Sequence, residues 1–307
     1  MLAACGGSEH GPVPTPSQSD VTFSGAAGRV DVFVNGEDFT SFPYEEKWDK
    51  PVLYPLRTAS GLVISRGYPV VERPGEHSDH IWHRGIWWGH GDINGVDFWR
   101  ELGRDKTGRL VLKSPPRTNA DTLGAELSLE TPDGTSLGTV RQSYSFSAAD
   151  TLRTIDAVIA INADQGVALT FADTEDGGFA MRLSDAFRQD RGAKLTNAQG
   201  LEGTENIWGQ NSEWVDYSAF IDGRKGVAVF DHPTNLRHPT GWHARGYSLC
   251  AANPFAAGDF SGDEANDGSY TIPEGESLTL RYRVVIHQGA VDIDDLYREY
   301  AAGAAAQ

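Results

Sequence analysis

From Leu278 to Ile286 every second residue is apolar (Leu278, Leu280, Tyr282, Val284, Ile286), and polar Thr279, Arg281 and Arg283 lie between them. Successive side chains of a strand point to opposite faces of the sheet, so a two-residue period marks a strand with one buried face. The same period recurs along the chain. Val140, Tyr144 and Phe146 alternate with Arg141, Ser143 and Ser145, and Ile155, Ala157, Ile159 and Ile161 form another row. Residues 29–34, 62–64, 125–130, 167–171, 179–183 and 227–230 add shorter candidates, separated by turn signals such as Asn35-Gly36, Pro132-Asp133-Gly134 and Asp222-Gly223. One helix is expected, at the C-terminus, where Asp292 can cap and Ile293, Leu296, Tyr297 and Tyr300 share a face. Many short antiparallel strands with one terminal helix predict an all-β fold, a large antiparallel β-sandwich, over residues 21–307 as a single catalytic or binding domain.

Charge and hydropathy narrow the partners. The 307 residues carry 26 Lys and Arg against 43 Asp and Glu, a formal net charge of −17, which repels phosphate backbones and argues against a nucleic-acid partner. No run approaches the roughly 18–20 consecutive apolar residues of a spanning helix, so no membrane-crossing segment is expected. Cys250, in Tyr-Ser-Leu-Cys-Ala-Ala, reads as a small buried hydrophobe. Cys5 reads differently, because Leu2-Ala3-Ala4-Cys5-Gly6-Gly7 resembles a bacterial lipobox and the stretch up to Asp20 is rich in Pro and Ser, like a flexible tether. Residues 1–20 are therefore expected to form a lipoprotein-like N-terminus with a lipid anchor at Cys5. Only four residues precede Cys5, too few for a signal peptide, which a start codon assigned too late would explain. The expected location is extracytoplasmic, at the cell surface, or cytoplasmic if Cys5 carries no lipid.

Polar chemistry collects in three places. Of nine histidines, His77, His80, His83 and His90 fall within fourteen residues, among Asp79, Arg84, Asp92, Asp97 and the tryptophans Trp82, Trp87, Trp88 and Trp99. Aromatic plates beside imidazoles, a guanidinium and carboxylates suit a sugar, whose C–H faces stack on indole while its hydroxyls need polar partners. A metal is the competing reading of His80 and His83, although residues three apart on a strand face opposite ways and would converge only on a turn. Plain packing of these rings against a polar-edged core is a third. The second collection runs through Asp231, His232, Asn235, Arg237 and His238 to Trp242, His243, Arg245 and Asn253, and begins as a loop at the end of the strand at 227–230. Here the competing reading is a solvated loop. Between the two lies Asp173-Thr174-Glu175-Asp176-Gly177-Gly178-Phe179, where Glu175 is the best general-base candidate and the glycine pair would let the backbone approach a ligand; an ordinary acidic turn is the alternative. No nucleotide-binding glycine loop, Gly-x-Ser-x-Gly or Cys-x-x-Cys is present.

The block from His80-Ile81-Trp82-His83-Arg84-Gly85 to Val96-Asp97-Phe98-Trp99 resembles the signature of a bacterial family labelled "methane oxygenase PmoA-like". Thr174-Glu175-Asp176-Gly177-Gly178-Phe179, Trp214-Val215-Asp216-Tyr217-Ser218, the run from Phe230 to Pro239, Ala251-Ala252-Asn253-Pro254-Phe255 and Leu280-Arg281-Tyr282-Arg283 agree with it, so the resemblance covers residues 21–289. It departs at Trp82, where the family pattern has a histidine. Methane oxidation in a membrane needs spanning helices, so the label is not read as the activity. The resemblance implies a galactose mutarotase-like sandwich and companions among sugar oxidoreductases and glycoside-degrading enzymes.

Together these readings predict a carbohydrate-active enzyme that hydrolyses, eliminates or epimerises a glycoside or modified sugar by acid–base chemistry. His83 or His90 would be the acid, Glu175 or Asp97 the base, and Arg84 or Arg237 would steady negative charge. His80, Arg84, Trp87, Trp88, Trp99, His232, Asn235, Arg237, His238, Trp242, His243 and Asn253 would bind the sugar, with no metal and no other cofactor assigned. The alternative is a non-catalytic sugar-binding surface lipoprotein.

Overall fold

The runs with a two-residue period fold as strands of one large antiparallel sheet, in a computed structural model that describes residues 19–263 and 265–304. Ser277–Gln288 is central to this nine-stranded sheet, between Arg224–Asp231 and Leu152–Asn162, and Ser136–Ala149 and Thr122–Glu130 continue beyond Leu152–Asn162. The inward rows are those the period marks: Tyr144, Phe146, Ile155, Ile159, Leu280, Tyr282 and Val284 belong to the main apolar core. Asn35-Gly36 and Asp222-Gly223 turn the chain with positive φ at both residues (55° and 79°, 49° and 84°), the backbone that tight hairpins require.

A four-stranded antiparallel sheet covers this core, in the order Gly241–Arg245, Leu249–Asn253, Gly177–Arg182, Ile86–His90. Its inner face carries Trp88, Phe179, Met181, Trp242, Ala244, Cys250 and Ala252. Phe179 stacks on Tyr282 of the large sheet at 4.7 Å and 7°, a direct contact between the two layers. These are the two faces of the antiparallel β-sandwich. Val21–Ala26, Arg29–Val34 and Glu37–Pro43 form a three-stranded sheet, and Leu169–Phe171 pairs with Tyr270–Ile272. Helix Ile293–Ala304 packs Ile293, Leu296, Tyr297 and Tyr300 against Trp214 and Phe230 on the outer side of the large sheet.

Three local expectations need correction. Residues 62–64 form no strand, only isolated bridges in which Val63 pairs with Arg57. Residues 241–253 are two strands of the small sheet rather than a loop. They lack alternation because both faces are covered. Gly177 and Gly178 serve the sheet itself and not a ligand. A β-carbon on Gly178 (φ +92°) would lie 1.9 Å from the Ala252 carbonyl oxygen, and one on Gly177 would lie 2.2 Å from the His90 ring.

Among the described residues no helix is long and apolar enough to cross a membrane. Cys5 and the tether up to residue 18 lie outside the described residues.

Candidate active site on the outer face of the small sheet

Alternation along the four short strands decides which candidates can meet. Trp87, Ala180, Ala251 and His243 are in register across the small sheet and share its outer face, one step from the inner row of Trp88, Phe179, Ala252 and Trp242. The next outer row holds Arg182, Leu249 and Arg245. This face is covered by the turn before Ile86–His90, where the His83 N–H donates to the His80 carbonyl (3.0 Å). The turn lays the His80 and His83 rings flat on each other (4.8 Å, 7°), His83 lies on Trp87 (5.2 Å, 19°), and Tyr247 stacks on the far side of His80 (5.8 Å, 6°). Trp99 meets both Trp87 (5.2 Å) and His83 (5.8 Å). Trp82 and Tyr247, both partly exposed, pack on this aromatic cluster.

Two arginines fix the turn. Arg66 donates to the carbonyls of Asp79, His80 and His83 (2.7, 2.7 and 3.0 Å), and Arg182 donates to Asp79 Oδ1 (2.9 Å). Burial tends to raise the pKa of Asp79, but Arg182 and Arg66 outweigh it and hold the carboxyl below its ordinary value.

At the other end of the face, His243 stands beside the acidic turn. Its Nδ1 donates to the Glu175 carbonyl oxygen (2.9 Å), and its Nε2 lies 3.8 Å from Glu175 Oε2. The Glu175 carboxylate accepts from Arg245 Nη2 (2.6 Å), and Asn253 holds the turn by donating to the carbonyls of Thr174 and Glu175 (2.9 and 3.1 Å). Asp176 lies 3.9 Å from His243 Nδ1 and is paired with Arg100; burial pushes its pKa up. Asp97 is fully engaged: one oxygen accepts the N–H groups of Trp99 and Arg100 (2.8 and 2.9 Å), and the other takes the Arg100 guanidinium (3.0 Å).

The hydrogen bonds settle the proton positions on both buried imidazoles. Arginine can only donate, so Arg182 Nη1 at 3.2 Å makes His83 Nδ1 an acceptor and leaves the ring proton on Nε2. A carbonyl can only accept, so His243 carries its proton on Nδ1 and presents a lone pair at Nε2. Both Nε2 atoms are buried without a partner. Burial, reinforced by Arg182, pushes His83 well below the ordinary histidine pKa, and burial with Arg245 lowers His243 to about 3. The outer face thus offers one neutral donor and one neutral acceptor.

Other expected site residues lie elsewhere. His90 is on the inner side, wholly buried against Phe171 and Phe255, and donates from Nε2 to the Ala172 carbonyl (2.8 Å). Trp88 and Trp242 belong to the core, and Trp242 Nε1 donates to the Ser212 carbonyl (2.8 Å). Asp231 collects Asn235, His238 and the Thr240 N–H into a buried knot near the C-terminal helix, where His232 meets Tyr300 edge-on. Arg237 ties loops together through the carbonyls of Pro254 and Ser269 (2.7 and 2.9 Å). Arg84 is buried with Glu101, 4.0 Å above the Trp48 ring. Among the described residues no group of three His, Cys, Asp or Glu side chains could hold a metal ion. Sequence reasoning passed over Arg182 and Tyr247. Arg182 was detectable as a charge inside an otherwise apolar strand.

Solved structures similar to this chain include a galactose mutarotase-like protein from Lactobacillus casei ATCC 334 (8% identity, 87% of this chain and 100% of that one, TM-score 0.38). The Slr1438 protein from Synechocystis sp. PCC 6803 is 12% identical over 91% of this chain and 100% of its own, with a TM-score of 0.37. An α-galactosidase from Geobacillus stearothermophilus solved with raffinose is 14% identical over 88% of this chain and 41% of its own, also at 0.37. With TM-scores this low, the likenesses carry no argument about the site. No curated protein matches the chain. The expected membership of a "methane oxygenase PmoA-like" family is overturned by the family pattern that does match, over residues 29–301. The chain belongs to that family, described as a family of unknown function (DUF6807).

Proposed function

We propose that this protein is a carbohydrate-active enzyme that moves protons on a sugar bound over the outer face of the small sheet. The observation that carries the reading is the pair of buried imidazoles with opposite tautomers: His83 offers an N–H at Nε2, and His243 a lone pair beside the Glu175 carboxylate. A buried polar atom without a partner costs about 1–3 kcal/mol; a bound hydroxyl or carbonyl oxygen would satisfy His83 Nε2, and a bound hydroxyl would satisfy His243 Nε2. Glu175 acts as the base on one hydroxyl, His243 Nε2 accepts from a neighbouring hydroxyl of the same sugar and orients it, and His83 donates to the oxygen on which negative charge gathers. Trp82 and Tyr247, partly exposed, are the plates on which a sugar ring would stack.

The test is incubation of the purified protein with a panel of glycans, including keto-sugar glycosides, with products followed by mass spectrometry. New products are expected from the protein and not from His243→Gln. Binding without product from any glycan would favour the sugar-binding lipoprotein instead. We further propose that Cys5 is lipidated and holds residues 21–307 outside the cytoplasm on the tether. The expected result is a diacylglyceryl mass on the Cys5 peptide of protein from its native membrane; an unmodified Cys5 would overturn it.

A further inference from the structure

The donor end of the face has a charge character that the acid–base reading leaves unused. Lys50, Arg66, Arg84 and Arg182 have side chains at most 1% exposed, yet they share two carboxylates, Asp79 and Glu101. The neighbouring acids do not correct this excess, because Asp49 pairs with Arg109 (3.6 Å) and Glu76 with Arg73 (3.6 Å). Three of the four bear directly on the aromatic cluster, and Arg84 shares Glu101 with Lys50. Arg182 donates to the His83 ring, Arg66 to the His83 carbonyl and Lys50 to the Trp99 carbonyl (2.7 Å). In a chain of net charge −17, an uncompensated buried cationic cluster asks for an anion.

The same cluster holds N–H groups with no acceptor. Trp87 Nε1 and Trp99 Nε1 are buried and unpartnered, as is His83 Nε2, and the three rings touch one another. Three orphaned donors on mutually packed rings, backed by surplus cations, form the lining an oxyanion needs. Trp82 lies edge-on to His83 (6.0 Å, 85°) and, being partly exposed, forms the solvent-facing edge of this cluster.

We infer that the sugar bound here carries a carboxylate, as a uronic acid does, and that the carboxylate sits against His83, Trp87 and Trp99. The inference rests on the proposed sugar site and adds the substrate class. A carboxylate, with two acceptor oxygens, can take N–H donors from the stacked His83 and Trp87 rings and from Trp99 set at an angle to them, whereas a neutral hydroxymethyl group leaves the cationic excess unanswered.

The test measures binding of D-glucuronate and D-galacturonate beside D-glucose, D-galactose, inorganic sulfate and inorganic phosphate, by calorimetry and tryptophan fluorescence. Uronates are expected to bind at least about tenfold more tightly than the neutral sugars, the scale of one buried hydrogen bond to a charged group. Trp99→Phe and Trp87→Phe keep the ring and remove one donor each. Each should reduce uronate affinity about tenfold and so erode the preference for uronates over neutral sugars. Equal binding of uronates and neutral sugars, or a preference unchanged in both variants, overturns the inference, as does sulfate or phosphate binding as tightly as uronate. Turnover of neutral glycosides with no preference for uronates removes the inference and leaves the acid–base reading standing. Uronate binding without any product does the reverse.

Discussion

Glu175→Gln is expected to lower turnover by about 10²–10⁴-fold, the usual contribution of a positioned general base, while sugar affinity stays within a few-fold of the native protein. The substitution is close to isosteric. The glutamine carbonyl can still accept from Arg245 Nη2, and the backbone carbonyl of residue 175 still accepts from His243 and Asn253. What disappears is a basic oxygen 3.8 Å from His243 Nε2. A loss in kcat at unchanged melting temperature therefore reports chemistry and not packing. A variant with nearly full rate would remove Glu175 from the mechanism.

Asp97→Asn is the informative contrast, because both Asp97 oxygens are engaged by Trp99, Arg100 and the Arg100 guanidinium. Its substitution disturbs the seating of Trp99 and should raise KM more than it lowers kcat. If Asp97→Asn loses rate while Glu175→Gln keeps it, the base is Asp97 and the assignment reverses.

Strands with one wet face were legible in the sequence, because burial on a single face writes the two-residue period directly into composition. Arg29–Val34 and the rows within Ser136–Ala149, Leu152–Asn162 and Ser277–Gln288 are of this kind, as is the helical face of Ile293, Leu296, Tyr297 and Tyr300. Of the small sheet, only Gly177–Arg182 was legible, at residues 179–183; the other three strands were not. Ile86–His90, Gly241–Arg245 and Leu249–Asn253 are covered on both sides, so apolar and polar residues fill both faces and the period vanishes. Trp87 and Trp88 show the consequence: neighbours in sequence, they face the site and the core respectively.

The site itself was half legible for the same reason. Motif density pointed to His80, His83, Trp87, Trp99, Glu175 and His243, all of which share the outer face or its rim. It equally pointed to His90, His232 and His238, and nothing in local composition distinguishes a histidine held by a carbonyl in the core from one aimed at a ligand. That distinction depends on the second ring nitrogen and on which way a strand turns its side chains. Both are fixed by partners far away in sequence, such as Arg182 for His83, 99 residues on.

The buried imidazoles also predict a protein whose stability collapses on mild acidification. His83, His90 and His243 are each at most 3% exposed; burial takes His90 to about 4 and His243 to about 3, and holds His83 well below the ordinary value of 6.5. For His90 and His243, between pH 6.5 and about 4 the unfolded chain binds these protons and the folded chain does not, so the stabilisation is present above pH 6.5 and is lost as pH falls. Each of the two contributes about 1.4 kcal/mol per pH unit in that window, a slope of about 3 kcal/mol per unit, and His83 acts in the same direction. From pH 6.5 to 5 the two rings alone lose about 4 kcal/mol, a large part of the 5–15 kcal/mol typical of a folded domain. Asp49 and Asp176, whose pKa values burial raises, oppose this trend, because the folded state takes up their protons before the unfolded chain does. Urea unfolding at pH 7, 6 and 5 should therefore show a steep fall in midpoint. His90→Gln, which keeps a donor for the Ala172 carbonyl, should flatten the slope by about 1.4 kcal/mol per pH unit. Midpoints that stay level from pH 7 to 5 would mean that these rings are protonated in the folded protein, and would also remove the neutral donor and acceptor on which the proposed chemistry rests.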